Sequence, residues 1–535
     1  MYTIVQSYWS KPSFDSAYPQ EDNRFGGGWI HERYNYMSWA LSCLTLRKYY
    51  KNVILFTDDL GKELLIDRLE LLYTDVRLDL NDLEKYDSRL WAVGKLYTYS
   101  LQDKPFIHVD GDVYIWNKFN LFSEKQDIIV QNKYDFTTHH NYEKVKKFLL
   151  EELNEVPDAI VEQWKKQTNL FSINAGVIGG VDIAFFKEYT KRAFDFIHSN
   201  TDKIPFFPRD YLNVIFEEVL FFCMASQSQK NISCLFPVMD EEFTKVTCFH
   251  MVPKLATYIH LLGRAKKDKF AGQQVERRLR YEFPSYYEKI NSYFASLKKE
   301  PVNNANKTTF YQTVKEENSS NSYCRTISLL KFLNADFQYN SFDELANQIE
   351  QIAQLQGQNT LIQNALIETF DLEKKKEELF QKALKRDVLK INQIYSFLDF
   401  ADIDKILDTN FILSNAVVIE CSWYMQMEDI KTDHFRDNSF FHKSEDNHFI
   451  LCYLDDDNEI KEEVLSGWNV LLYAFTEPTN GNELVDFLIE NYKKSDQSYN
   501  LDELKLNVVD LINRHLVMEG ILDFAPVVSN SSNPD

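Results

Sequence analysis

The chain predicts an α/β layer on a largely parallel sheet over residues 1–285, a linker at 286–324, a helical region over 325–430 and a small α+β domain over 431–527. Three observations carry that division. In the first part, short apolar runs that stop at acidic residues alternate with stretches of helical period, as the strands and covering helices of a parallel layer do. Residues 298–322 (KKEPVNNANKTTFYQTVKEENSSNS) are polar and rich in Asn and Ser, the texture of a connection. The length, 535 residues, exceeds what one core fills, since single cores stop growing at about 250–300 residues.

The elements follow in order. Residues 2–8 (YTIVQSY) are a first strand candidate, and residues 34–50 place apolar side chains at helical spacing. Residues 52–57 (NVILFT) form an apolar run closed by Asp58 and Asp59, so strand, helix and strand succeed one another. Residues 89–100 read as a helix, and 104–109 (KPFIHV) as a buried strand ended by Asp110, Gly111 and Asp112. Residues 171–181 (FSINAGVIGGV) are a strand interrupted by glycines. In the middle region, Glu–Lys pairs within 371–385 (DLEKKKEELFQKALK) reinforce a solvated helix. Two β-like runs, 448–454 (HFILCYL) and 459–465 (EIKEEVL), flank a turn at 455–458 and make a hairpin; residues 466–474, 482–492 and 502–515 then read as helical.

Composition excludes several classes. Hydrophobic residues at 44%, with 40 Phe and 30 Tyr, describe a globular protein rather than a disordered one. The balance of 59 Lys+Arg against 81 Asp+Glu gives −22, a charge that repels phosphate backbones and anionic lipid, so nucleic acid is not the expected partner. Seven scattered cysteines without a C-x-x-C pair argue against a disulfide framework and a zinc site. The start has no basic segment leading into a long apolar one, and no run approaches the ~20 apolar residues of a membrane span; the expectation is a cytoplasmic protein.

An Asp-x-Asp triplet says little alone, because Asp402-Ile403-Asp404 and Asp455-Asp456-Asp457 read as a helix cap and a hairpin turn. Asp110-Gly111-Asp112 differs in ending an apolar strand, where open α/β sheets bind ligands, and its glycine lets a bulky group approach the backbone. Two carboxylates there can hold a hard dication, and the dication a diphosphate; the plain alternative is a strand-end turn. In 258–266 (YIHLLGRAK), His260 and Lys266 read singly as a core histidine and a solvated lysine. Asn174-Ala175-Gly176-Val177, followed by Gly179-Gly180, reads equally as a bulged strand whose glycines permit tight packing.

Taken in order, the strand with D-G-D, then N-A-G-V, then H-x-x-G-x-x-K, residues 1–285 resemble the glycogenin-like family 8 glycosyltransferases, which have the GT-A fold. The resemblance implies Asp110, Asp112 and His260 as ligands of Mn²⁺ (or Mg²⁺), and Lys266, after Gly263, as a contact of the donor diphosphate. It implies further donor contacts by Arg89 and Lys95 before the D-G-D strand, by Gly111 within it, and by Asn174 and Gly176 at the sugar. Gln6, Ser7 and Tyr8 resemble the segment that meets the nucleobase, with Asp58 or Asp59 nearby. Glu217 and Glu218 stand where the family has an acidic residue near sugar or acceptor, and join Asp110, Asp112 and Lys266 as expected catalytic residues. The chain departs from the family at Lys267-Asp268, where Pro-Trp is usual, and His250 is a competing metal ligand. The family reaction retains anomeric configuration, whereas an inverting course would need Glu217, Glu218 or Asp210 as general base.

The tail, with 465–475 (LSGWNVLLYAF) and 517–522 (VMEGIL), resembles PqqD-like peptide-recognition domains, of winged-helix type, which take the leader of a ribosomally made precursor peptide as an added strand. Asp455–Asp457, Glu459, Glu462 and Glu463 make the hairpin acidic and oppose a DNA-binding role. The two resemblances together imply a metal-dependent glycosyltransferase that moves a sugar from a nucleotide-diphospho-sugar, a UDP-sugar foremost, to a peptide or protein acceptor bound by the C-terminal domain. The alternatives are a glycosyltransferase of cell-surface polysaccharide or lipid-linked glycan, and a non-catalytic peptide-binding scaffold.

Overall fold

Alternate residues of the first strand go to different cores: Val5 packs in one apolar cluster and Ile4 in another, as do Phe106 and Ile107, and Ile128 and Ile129. Period-2 segregation of this kind means that both faces of the sheet are covered, which explains why its strands read as continuous apolar runs. The computed structural model describes residues 2–14, 25–119, 127–138, 142–166, 169–207, 209–236, 247–297, 323–333, 342–354, 360–382, 388–422, 424, 447–454 and 459–526. Of the linker expected at 286–324, residues 286–297 instead belong to the helix Pro284–Leu297, whose Ile290 is buried, Cys324 opens the helix Cys324–Phe332, and 298–322 lie outside the described residues, as does the turn at 455–458. The chain divides into two compact units, Met1–Glu300 and Pro301–Asp535.

In the first unit the strands are β1 (Thr3–Tyr8), β2 (Val53–Thr57), β3 (Asp75–Arg77), β4 (Phe106–Val109), β5 (Val113–Ile115), β6 (Ile128–Asp135), β7 (Phe171–Gly180), β8 (Ile232–Cys234) and β9 (Tyr258–His260). Among the described residues, seven of them form one mixed sheet in the order β3-β2-β1-β4-β7-β6-β8. β3, β2, β1 and β4 run parallel, so the ends of β1, β2 and β4 share one edge, while β7 runs antiparallel to both β4 and β6. The sheet is therefore parallel-rich rather than parallel throughout. Gly179 explains part of the sequence of β7: a Cβ there would lie 2.1 Å from the carbonyl oxygen of Phe106 on β4.

One face is covered by the helix Ile183–Ser199 and by Val93–Ser100, which starts four residues later than the period predicts. On the other face lie the helices Glu32–Tyr49 and Lys269–Glu282, whose side chains share a second cluster with Leu55 of β2 and Ile259 of β9. β5 leaves the D-G-D turn and pairs antiparallel with β9, Val113 opposite His260.

In the second unit, helices span Cys324–Phe332, Phe342–Gln354, Thr360–Lys382, Val388–Phe400 and Ile403–Asp408. Two strands then interrupt the region expected to be helical to residue 430: β10 (Asn410–Leu413) and β11 (Ala416–Cys421). Their apolar runs are short enough to be read either way, and pairing with distant strands decides them. The predicted hairpin is β12 (His448–Leu454) with β13 (Ile460–Val464), and β11 pairs with β12 to make a three-stranded sheet. β14 (Thr479–Asn480) and β15 (Leu522–Phe524) flank β10 in another sheet, and the helices Gly481–Lys494 and Leu501–Asn513 run between them.

The second unit contains a buried ion network. Arg325 is 0% exposed; its Nε lies 3.2 Å from Glu373 Oε1, and its terminal nitrogens donate to both Glu462 oxygens at 2.7 and 3.0 Å. Lys376 and Tyr424 also meet Glu462, each at 2.5 Å.

Candidate active site

The turn after β4 is built by backbone bonds that aim both aspartates. The amide N–H of Asp110 donates to the Gly176 carbonyl on β7 at 2.9 Å, and the Leu261 N–H after β9 donates to the Asp112 carbonyl at 3.1 Å. The β5–β9 pairing thus brings His260 beside Asp112, with Nε2 3.4 Å from Asp112 Oδ1. Ligand atoms of Asp110, Asp112 and His260 all lie within 4.8 Å of one another. The other imidazole nitrogen, Nδ1, is 2.6 Å from Gln131 Oε1 on β6, which orients the ring so that Nε2 faces the carboxylate. His260 abuts Gly176 and occupies the space a side chain there would fill.

Two lysines complete the charge balance. Lys266 forms an ion pair with Asp112 Oδ2. Lys95, on the helix Val93–Ser100, lies 3.0 Å from Asp110 Oδ2 and 2.7 Å from Glu217 Oε1, bridging the two. Burial raises the pKa of Asp112, but the Lys266 ammonium and the His260 imidazole outweigh it and hold the carboxyl well below its ordinary value. At Asp110 burial wins, reinforced by the charge of Asp112 and opposed by Lys95, so its pKa is raised. Burial disfavours the Lys95 ammonium, yet Asp110 and Glu217 raise its pKa above the ordinary lysine value.

The acidic pair Glu217 and Glu218 sits in a π-helical turn, Ile215–Val219, which points successive side chains to different partners. Glu217 meets Lys95, with the Tyr99 hydroxyl at 3.5 Å. Glu218 accepts from the Ala175 N–H at 3.1 Å and from the Tyr134 hydroxyl at 2.8 Å. Burial, with the neighbouring Glu217 charge, pushes the Glu218 carboxyl up to about 8.

An open cleft of about 140 Å³ adjoins the turn, and Ser7, Tyr8, Lys95, Gly111 and Lys266 are among the residues that line it with Asp110 and Asp112. Other expected contacts have structural partners. The Gln6 amide donates to Ser42 Oγ at 2.9 Å and to the carbonyls of Val109 and Asp110, so it braces the turn from beneath. Asp58 caps the next helix through the Gly61 N–H and accepts twice from Ser10, each bond 2.8 Å. Arg89 pairs with Asp87 at 2.6 Å. Asn174 accepts from the Gly176 N–H at 2.9 Å. Gly263 is exposed at φ +40°, and His250 is buried in the turn Phe249–Met251, outside the Asp–Asp–His cluster. The side chain of Asp210 lies outside the described residues.

Sequence reasoning missed the aromatic walls: Trp9, Trp29, Trp39 and Trp91 all line the cleft. The available signal was that four of the eight tryptophans fall within the first 91 residues. Gln131 carried no signal, because only the fold sets β6 beside β9.

Two carboxylates and an oriented imidazole are a donor set that fits a divalent cation such as Mn²⁺, and a cation held there would neutralise charge on a bound phosphate ester. The aromatic walls offer flat faces to rings.

No curated protein matches the chain. Among solved structures it is similar to the glycosyltransferase GlyE of Streptococcus pneumoniae TIGR4, at 12% identity over 57% of this chain and 67% of that one, with a TM-score of 0.28. It is also similar to the apo form of mouse xyloside xylosyltransferase 1, at 13% identity over 43% and 84%, with a TM-score of 0.25. No helix among the described residues is long and apolar enough to cross a membrane. Residues 2–293, more than half of the chain and the whole sheet with its acidic turn, match the family of unknown function DUF6734, and the chain belongs to that family.

Proposed function

We propose that the first unit is a GT-A glycosyltransferase that transfers a sugar from a nucleotide-diphospho-sugar with the help of a divalent metal, Mn²⁺ foremost. The observation that carries this reading is the convergence of Asp110, Asp112, His260 and Lys266 at one edge of the sheet, beside an aromatic-walled cleft. Asp110, Asp112 and His260 would hold the cation, which when bound offsets the charge developing on the diphosphate leaving group. Lys266 adds a second positive charge for the same group, and Tyr8 presents an aromatic face near the end of β1 for the base. Glu217 is paired with Lys95, and Glu218 is held by the Ala175 N–H and the Tyr134 hydroxyl, so both carboxyls already have structural partners. That supports a retaining course, in which a donor phosphate oxygen takes the acceptor proton.

The acceptor in this proposal is a peptide or protein bound by the second unit, whose β11-β12-β13 sheet has the hairpin expected of a PqqD-like module. Tethering a peptide raises its local concentration at the transfer site. The test is nucleotide-diphosphate release from a panel of nucleotide sugars, with Mn²⁺ and then with EDTA, for wild type and Asp110→Ala/Asp112→Ala. Metal-dependent release that the double variant lacks supports the reading; release indifferent to both overturns it. A chain ending at residue 300 should keep donor hydrolysis but lose peptide modification, and loss of neither would remove the recognition role. A chain cut at the expected 430/431 boundary would separate β11 from its partner strand β12.

A further inference from the structure

Lys266 and a dication compete for the same carboxylate. The lysine ammonium is paired with Asp112 Oδ2, while His260 Nε2 lies by Oδ1 of the same group, so the cation that Asp110, Asp112 and His260 can hold must share or displace that pair. The two lysines of the site are not equally held. Lys95 is anchored from behind by Glu217, whose side chain is 1% exposed, and sits on a helix packed against the core. Lys266 belongs to the short 3-10 turn Gly263–Lys267, which opens at the exposed Gly263 with φ +40° and no atom within 4 Å of the position a Cβ would take. Its carbonyl accepts from Ile30, a half-exposed residue of the loop beside the cleft. The Lys266 ammonium therefore has a free direction in which to move, towards the cleft it lines, whereas that of Lys95 is held on two sides.

We propose that Lys266 is a two-position cation: it counter-charges Asp112 until a diphosphate-bearing ligand in the cleft draws it away, so that metal and diphosphate load the site together. This rests on the metal-site reading above. The ammonium lowers the affinity of the site for metal alone and returns that cost when the phosphate arrives, because each ligand then removes the charge that opposed the other. A lysine that only touches the donor would leave metal affinity in the absence of donor unchanged.

The experiment is a calorimetric titration of Mn²⁺ into the full chain, wild type against Lys266→Met, Lys266→Gln and Lys266→Arg, first alone and then with saturating uridine diphosphate. Lys266→Met and Lys266→Gln should bind Mn²⁺ alone at least tenfold tighter than wild type, while Lys266→Arg, which keeps the charge, should stay within about twofold. The gain in Mn²⁺ affinity on adding uridine diphosphate should shrink in the two neutral variants. Two neutral side chains guard against one that fails to fold, monitored by thermal melting. Wild-type Mn²⁺ binding that neither neutral variant tightens overturns the inference and leaves the metal site standing; no Mn²⁺ binding in any protein overturns both.

Discussion

A methyl group placed on Gly176 would lie 2.1 Å from Cε1 of His260, so the backbone of β7 and the imidazole of β9 are in direct contact. Gln131 also holds Nδ1 of the same ring, so yielding to a side chain at residue 176 would strain or break that bond. Gly176→Ala should therefore turn His260 away from Asp112 and weaken Mn²⁺ binding roughly 10–100-fold, the usual cost of disturbing an orienting contact of a metal ligand. Calorimetric Mn²⁺ titration checks this, and an unchanged dissociation constant in a folded variant would show that His260 is not a ligand.

Gly111 is constrained in the same way by Trp39. A Cβ at residue 111 would meet the indole Cε2 at 2.5 Å, and Ser38 Oγ donates to the Gly111 carbonyl at 2.8 Å. Gly111→Ala should displace the D-G-D turn, and a shift near 1 Å in a reacting site costs about 10²-fold in turnover. Adding Trp39→Phe, which removes part of the offending ring, should restore part of that loss. Rates of nucleotide-diphosphate release for the two variants decide it.

The Arg325 network gives the second unit its own acid sensitivity. Burial opposes ionisation of Glu462, but Arg325 and then Lys376 outweigh it and hold the carboxyl at about 2, against an ordinary 4.5. A carboxyl depressed in the fold stabilises it fully above pH 4.5, and that contribution is lost as pH falls towards 2. Arg325→Met should flatten stability across this window and cost about 3–5 kcal/mol at neutral pH, because Glu373 and Glu462 would lose a buried partner. Urea unfolding between pH 3 and 7 measures both effects.

Glu218 runs the other way. Its carboxyl is raised to about 8 by burial and by Glu217, so the fold takes up a proton that the unfolded chain releases near 4.5. Its contribution is complete below pH 4.5 and lost as pH rises through about 8. Glu218→Gln keeps an acceptor for the Ala175 N–H and should flatten the decline in melting temperature between pH 5 and 9. An unaltered slope would mean that Glu218 is ionised in the fold.

Apolar runs and their acidic stops were enough to locate β1, β2, β4 and β7, because burial on both sheet faces leaves a continuous signal that needs no partner to be read. Asp110, Asp112, His260 and Lys266 were singled out only by the family resemblance that the ordered D-G-D, N-A-G-V and H-x-x-G-x-x-K motifs carry. Strands of three residues, β3, β5, β8 and β9, carry too few side chains for a pattern, and they exist through pairing with segments far away in the chain. The antiparallel course of β7 was equally hidden, since alternation along a strand has no direction. Carboxylates, an imidazole and ammonium groups are visible as residue types along the chain, but which of them meet depends on how distant segments pack. The β5–β9 ladder sets His260 on Asp112, the π-helical turn sends Glu217 to Lys95 and Glu218 to Ala175, and four tryptophans close on one cleft, all through contacts between segments that lie far apart along the chain.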